Sequence, residues 1–429
     1  MRLAGCVVII DGMKDMLGRG NVISADEALR LLLKGLPEKL PDKIRIPIEH
    51  ALGMICAEEI SSSEDLPHFA RSTVDGYAVM AEDTFGASEA MPAYMTLSNE
   101  IFMGEKPEIV LSRGRVCKIP TGGMLPAGAD SVVMLEYVQN VDETMIEVLR
   151  PVVPGENVIQ PGEDVRKEEI VIPVGRKIRP QDIGACAGIG ITELTVYKRL
   201  RASIISSGDE IVPAGALPVM GQVRDINSYV LAAMLSETGA VPLRKGIFRD
   251  DYRVLLAAIE SSLDDSDLII LSGGTSVGTK DMIAKIIDDI GDPGILFHGV
   301  SLKPGKPVIG GIMGKVPVFG LPGHPAAVSV CFDVFIRPVV ARLSGLRERF
   351  GGHPVNVIKA RLAKNVSSSQ GREEHIRVII EEREDGLWAI PVLGKSGLIA
   401  TLVKADGTFI IPLHINGVEA GEVVEVRLF

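Results

Sequence analysis

Between residues 200 and 345, short apolar runs alternate with helix-length ones, and no other feature restricts the fold of this 429-residue chain as much. RASIISSG reads as a buried strand, and NSYVLAAMLSETG as a helix with Asn227 near its start and Gly239 just past its end. VPLRKGIF is strand-like, DDYRVLLAAIESSL helical, DLIILSGG strand-like and KDMIAKIIDDIG helical; VFGLPGHPAAVSV runs from a strand through a Gly/Pro turn into a helix near Pro325. Strands joined by crossover helices lie parallel in one sheet, and ligands of such sheets gather at the strands' carboxyl ends. Those ends are where chemistry is expected.

Three of them carry acids. Ser206, Ser207 and Gly208 lead into Asp209 and Glu210, and FRDD places Asp250 and Asp251 after the strand VPLRKGIF. Ser272, Gly273 and Gly274 open the loop SGGTSVG, which also holds Ser276 and Gly278 and leads to Asp281 at a helix start. Glycines there let backbone N–H groups close on an anion. No G-K-[ST] follows, so the loop is not a Walker A motif. Taken singly, each acid is an ordinary turn or dipole-complementing residue. Together on one rim, they suit Mg²⁺, which binds through one or two carboxylates plus substrate phosphate oxygens. The cations come from SLKPGKP, where Lys303 and Lys306 flank a turn containing Pro304, and GLPGHP adds a helix N-terminus beside Gly323 and His324. Such a set suits a phosphate ester or anhydride.

The rest of the chain is organised differently. Residues 24–36 read as a helix capped by Ser24 with Glu27 three residues on, and residues 41–60 hold a short β-like run (IRIPI) and an apolar helix fragment (HALGMICAEEI). From about 61 to 162 the text is dense in Pro and Gly, with short alternating runs typical of a small β-rich unit. Within it, LPHFARSTVDGYAVM packs Arg71, Ser72, Thr73, Asp75 and Tyr77 beside a turn, and KIPTGGMLPAGADSVVMLE holds Thr121 next to two glycines. The residues alone leave both open between a well-made hairpin and a site. Helical (IRPQDIGACAGIGI) and strand (ELTVYKRL) signals return at 163–200, and residues 355–429 read as five short strands.

Charge and composition narrow the partners. The net charge is −11 with no block of like charges, which argues against nucleic acid, whose binders carry a basic face. Five scattered cysteines without C-x-x-C read as reduced thiols in a cytoplasmic protein, and seven histidines show no zinc spacing. The apolar run 326–340 contains Asp333, Arg337 and Pro338, so no membrane span is expected. MRLAGCVVIIDG is too short and lacks the cleavage pattern of a signal peptide, and Met13 or Met16 is an alternative start.

Nine segments, in order, resemble the molybdopterin molybdenumtransferase family, whose animal relative is the C-terminal domain of gephyrin: LPHFARSTVDGYAV, PTGGMLPAGADSVVM, SSGDEIV, GQVRDINSY, DLIILSGGTSVGTKD, SLKPGKP, GLPGHPAAV, GREEHIRV and GKSGLIATL. The resemblance runs from about residue 24 to the end. It implies an α/β multidomain fold with a central pterin-binding α/β domain and parallel-type sheet (200–345), a β-rich domain (58–161), a linking α+β domain and a C-terminal β-barrel (346–429). The linking domain would comprise 24–57, with the first helix, and 162–199; residues 1–23 would be an N-terminal extension.

The implied reaction converts adenylylated molybdopterin and molybdate, or tungstate, with Mg²⁺ to the metal cofactor and AMP. The implied enzyme is a homodimer with its active site shared between subunits, and a molybdopterin adenylyltransferase is a possible deliverer of substrate. Position by position, the resemblance carries over Asp75, Thr121, Glu210, Asp250, Asp281, Lys303 and Lys306 as catalytic, with Glu210, Asp250 and Asp281 toward the metal. Ser207, Gly208, Ser272, Gly273, Gly274, Ser276, Gly278, Pro304, Gly323, His324, Arg377 and Ser396 would bind the pterin substrate or oxyanion. Three positions depart from the family: His324 where Asn is common, Gly123 where Ala is common, and Arg71 where some members have Asn. Two rival readings are a molybdopterin adenylyltransferase, which would not need the units flanking 200–345, and a binding scaffold, which would not need the acids and lysines.

Overall fold

The computed structural model describes residues 22–273, 277–347 and 357–429. Its centre is a six-stranded sheet in the order Val241–Phe248, Arg201–Ser207, Leu268–Gly273, Val316–Leu321, Ile309–Met313, Pro293–His298. The first four strands are parallel, as the alternation predicts, and an antiparallel pair is added at the far edge. Side chains alternate across the sheet. Ile204, Leu268 and Ile270 face helices Ala25–Gly35, Asn227–Thr238 and the run from Pro325 to Leu343, whereas Ile205, Ile269 and Leu271 face Tyr252–Leu263 and Val277–Ile290. Burial on both faces explains why these strands are nearly continuous apolar runs.

Local signals set the helix ends. Ser24 accepts from Glu27 N–H at 3.2 Å, Asp251 accepts from Arg253 and Val254 N–H, and Gly239 closes its helix in the left-handed conformation at φ 92°. Pro338 lacks the N–H needed to continue the ladder, and the turn ahead of it, Phe332–Ile336, widens to a π-helix. The apolar fragment HALGMICAEEI does not form a helix. After the short 3₁₀ turn Ile48–His50 the chain turns at Gly53 (φ 74°), and Cys56 pairs its backbone with Arg176 and Val196, so tertiary pairing overrides apolar content.

The remaining units are strung on paired strands. Lys43–Pro47 pairs with Glu193–Tyr197, Ile60–Ser61 with Ile170–Ile172, and Arg71–Ser72 with Val158–Ile159, so the chain leaves and returns along the same path. Between those passages stands a six-stranded sheet in the order Ser131–Met134, Gly76–Val79, Arg115–Ile119, Ala93–Glu100, Met145–Val148, Val138–Asn140. At the C-terminus Glu373–Arg383, Gly386–Pro391, Val357–Leu362, Val423–Leu428 and Gly407–Ile411 follow in order, and the last pairs back to the first, closing a five-stranded barrel. Leu302–Lys303 adds to this barrel in parallel, Lys303 opposite Glu374, and so ties it to the central sheet's unit. Among the described residues no helix is long and apolar enough to cross a membrane.

One buried acid shapes the returning stretch of the linking segment. Asp182, 5% exposed, accepts from Arg179 at 2.9 and 3.0 Å and pairs with Arg176 at 3.2 Å, capping helix Pro180–Gly188. Asp182→Ala removes the cap and strands two guanidinium groups. We expect it to lower unfolding free energy by about 2–4 kcal/mol in urea denaturation.

Candidate functional site

The chain passes from Arg201–Ser207 outward to Val241–Phe248 and then back across to Leu268–Gly273, so the strand order reverses between Ser207 and Gly273, which are register partners. A crevice at such a reversal is the usual ligand position of an open α/β sheet. Gly273 has φ +132°, and a Cβ there would lie 1.8 Å from the Ser207 carbonyl oxygen, so no other residue fits while the strands stay paired. Gly208, the next residue after Ser207, has φ +154°, and a Cβ on it would come 2.8 Å from Glu210 Oε2. Ser207 Oγ donates to Asp250 Oδ1. Glu210 and Asp250, which follow two neighbouring strands, thus both come close to the end of Arg201–Ser207, whereas Asp251 is spent on its helix cap. Among the described residues no three His, Cys, Asp or Glu side chains converge as a metal site. Gly274, Ser276 and the Asp281 side chain lie outside what the structure describes, and Gly278 falls in the first turn of Val277–Ile290.

A cleft of about 660 Å³ opens beside Gly208 and Asp209, walled by Asp225, Ser228, Tyr229, Arg244 and Arg249. Arg244 stacks on Tyr229 at 3.6 Å and donates to Ser228, which donates to the buried Asp225. Asp225, Ser228 and Tyr229 fall in the segment GQVRDINSY, whereas Arg244 and Arg249 lie in none of the nine segments. Asn227, legible only as a helix start, turns out to be a clamp. Its amide donates to Ser272 Oγ at 3.0 Å and to the Gly323 carbonyl at 2.9 Å, tying two strand ends together. Its Oδ1 is buried without a hydrogen-bond partner.

A second cleft, about 470 Å³, lies between the central unit and the barrel. It gathers Lys303, Pro304, Lys306, Gly323, His324, Arg377 and Ser396, all anticipated from sequence, together with Arg372, Glu374, His375 and Lys395, which were not. Lys303 pairs with Glu374 at 2.8 Å, Glu374 also accepts from Ser368, and His375 meets Glu373 at 2.9 Å. Arg377 is the group that sets the character of the cleft. Its Nη2 reaches the Gly394 carbonyl at 3.2 Å, but buried Nε and Nη1 have no partner. Burial also pushes the guanidinium below its ordinary pKa, the sign of a charge awaiting compensation. A buried cation with unspent donors, with two lysines alongside, is built for an anion.

Asp75 and Thr121 do meet, as their motifs suggested: Asp75 Oδ1 accepts from Thr121 N–H at 2.8 Å and from its hydroxyl at 3.2 Å. Both are exposed, on the six-stranded sheet of the β-rich segment, and neither lines the two clefts. Among the described residues, Cys56, Cys117, Cys186 and Cys331 are free and buried, and burial raises all four thiols, Cys186 to about 11.

Gly273→Ala should separate the two central strand ends. We expect a loss of about 2–3 kcal/mol in stability, read by thermal denaturation.

Comparison with known proteins agrees with this geometry. Residues 23–190 match "MoeA N-terminal region (domain I and II)", 203–342 "Probable molybdopterin binding domain" and 359–429 "MoeA C-terminal region (domain IV)". A molybdopterin molybdenumtransferase of Nostoc is 32% identical over 88% of this chain and 86% of its own. One from Bacillus subtilis is 30% identical over 96% and 95%. The crystal structure of a molybdopterin biosynthesis protein from Pyrococcus horikosii superposes with a TM-score of 0.77 at 35% identity, over 95% of this chain and 99% of that one.

Proposed function

Because the chain belongs to the MoeA family of molybdopterin molybdenumtransferases, we propose that it inserts molybdate or tungstate into adenylylated molybdopterin with release of AMP. The observation that carries this reading is Arg377, which lines the cleft with Lys303 and Lys306 and has buried donors without a partner. That cleft offers three cations to a tetrahedral dianion and lies one strand away from the reversal point at Ser207 and Gly273, where the pterin phosphates would sit. Asn227 supports the link, because its amide joins Ser272 to Gly323 at the edge of the oxyanion cleft.

The carboxylates beside Gly208 fit Mg²⁺, which binds through one or two carboxylates and completes its shell with phosphate oxygens and water. Glu210 and Asp250, with Asp281, would hold it, and it would supply charge neutralisation at the anhydride being broken. Lys303 and Lys306 orient the oxyanion and offset negative charge on the departing nucleotide. Pro304 shapes the turn between them.

Asp75 and Thr121 enter through a second copy of the chain. Around their hairpin Met103, 61% exposed, packs beside Gly122, and Phe102 is 57% exposed. Near the first cleft Leu217 and Met220 are 88% and 102% exposed. Apolar side chains this open beside polar sites suit a subunit interface, so we read the enzyme as a homodimer whose site is completed across it. The division into units at 58–161, 162–199, 200–345 and 346–429 belongs to the same reading, as does a cytoplasmic setting.

The test is AMP release from adenylylated molybdopterin with Mg²⁺. Release should require molybdate or tungstate, and the oxyanion that supports it identifies the metal. Asp75→Ala should lower turnover by about 10²-fold or more while sedimentation still shows a dimer. Pterin binding with no oxyanion-dependent AMP release would sink the proposal.

A further inference from the structure

Building on the oxyanion reading of the second cleft, we infer that His324, through its hydrogen bond to Ser396, couples oxyanion binding to the uptake of a proton. His324 Nδ1 and Ser396 Oγ are 2.8 Å apart. The partners are held in place independently of that bond. The Ser396 carbonyl accepts from Ala326 N–H at 3.2 Å, at the start of helix Pro325–Cys331. The imidazole also lies along the same loop, since a Cβ on Gly397 would be 3.6 Å from its Cδ2. Both residues line the cleft that holds Arg377, Lys303 and Lys306.

A serine hydroxyl has one proton to give. When Nδ1 is bare, Ser396 spends that proton on the imidazole and presents only lone pairs to the cleft, which repel an oxyanion. When the ring is protonated, Nδ1–H donates to Ser396 Oγ. The hydroxyl proton is then free to point at the oxyanion, and the cleft gains a positive charge. Both changes favour an anion, so by reciprocity a bound anion favours the protonated ring. Imidazole is the side chain whose charge changes across the physiological range, which makes the coupling visible there.

The other charged groups facing this cleft do not duplicate it. Lys303, Lys306, Arg372, Arg377 and Lys395 are cations, Glu374 is held by Lys303 and Ser368, and His375 is engaged by Glu373. An asparagine at this position would donate from a carboxamide at any pH. His324 therefore exchanges a constant donor for one that depends on proton activity.

Tungstate binding to the purified full-length protein tests this by calorimetry between about pH 8.5 and about pH 6, in buffers of differing ionisation enthalpy. The expected result is about tenfold tighter binding at the lower pH, with uptake approaching about one proton per oxyanion. His324→Asn should bind with little pH dependence and no proton uptake. Ser396→Ala should also lose the slope although the imidazole remains. An unchanged slope in His324→Asn, or wild-type binding without proton uptake, would overturn the coupling while leaving the oxyanion cleft in place. The latter result would mean that a neutral Nδ1–H tautomer already frees the hydroxyl. Wild-type protein that binds no tungstate at any pH would remove the cleft's assignment, and the coupling with it.

Discussion

The site depends on the close pairing of two parallel strands, Arg201–Ser207 and Leu268–Gly273. Their ends meet with Gly273 pressed so near the Ser207 carbonyl that a single methyl group would drive them apart. Parallel strands need long crossovers, and here the crossovers leave in opposite directions from this pair. The result is a crevice whose walls are backbone, with Ser207 and Gly208 on one side and the strand leading into SGGTSVG on the other. Acids on the adjoining turns, Glu210 and Asp250, are brought to that crevice by the same pairing and not by sequence proximity.

A second constraint joins this sheet to the barrel. Two residues, Leu302 and Lys303, leave the central unit to pair with Glu373 and Glu374, and that short ladder brings Lys303 within 2.8 Å of the Glu374 carboxylate. The cleft formed between the units places Arg377 where protein alone cannot satisfy it. Buried polar groups are nearly always paired, and an unpaired buried guanidinium costs stability.

The linking segment shows how distant stretches of chain are held together. Its strands pair outgoing with returning chain, and Asp182 steadies the returning stretch through Arg176 and Arg179. The β-rich sheet is thereby carried as an insertion, with Asp75 and Thr121 at its exposed surface.

Much of this was legible before any coordinates. Apolar runs alternating with helix-length segments determine a parallel α/β sheet, because period and length leave few other ways to bury them. Ser24 and Gly239 mark helix ends through purely local chemistry. The sequence could not show that HALGMICAEEI would give up helix for β pairing, since that choice rests on partners more than a hundred residues away. Nor could it show that Asn227 clamps Ser272 to Gly323, that Lys303 would meet Glu374, or that His324 would share a proton with Ser396. Each is a contact between segments far apart in the chain, where geometry decides the chemistry. Residue types and local periodicity determined which groups are present and on which elements; only the tertiary packing decided which of them face one another.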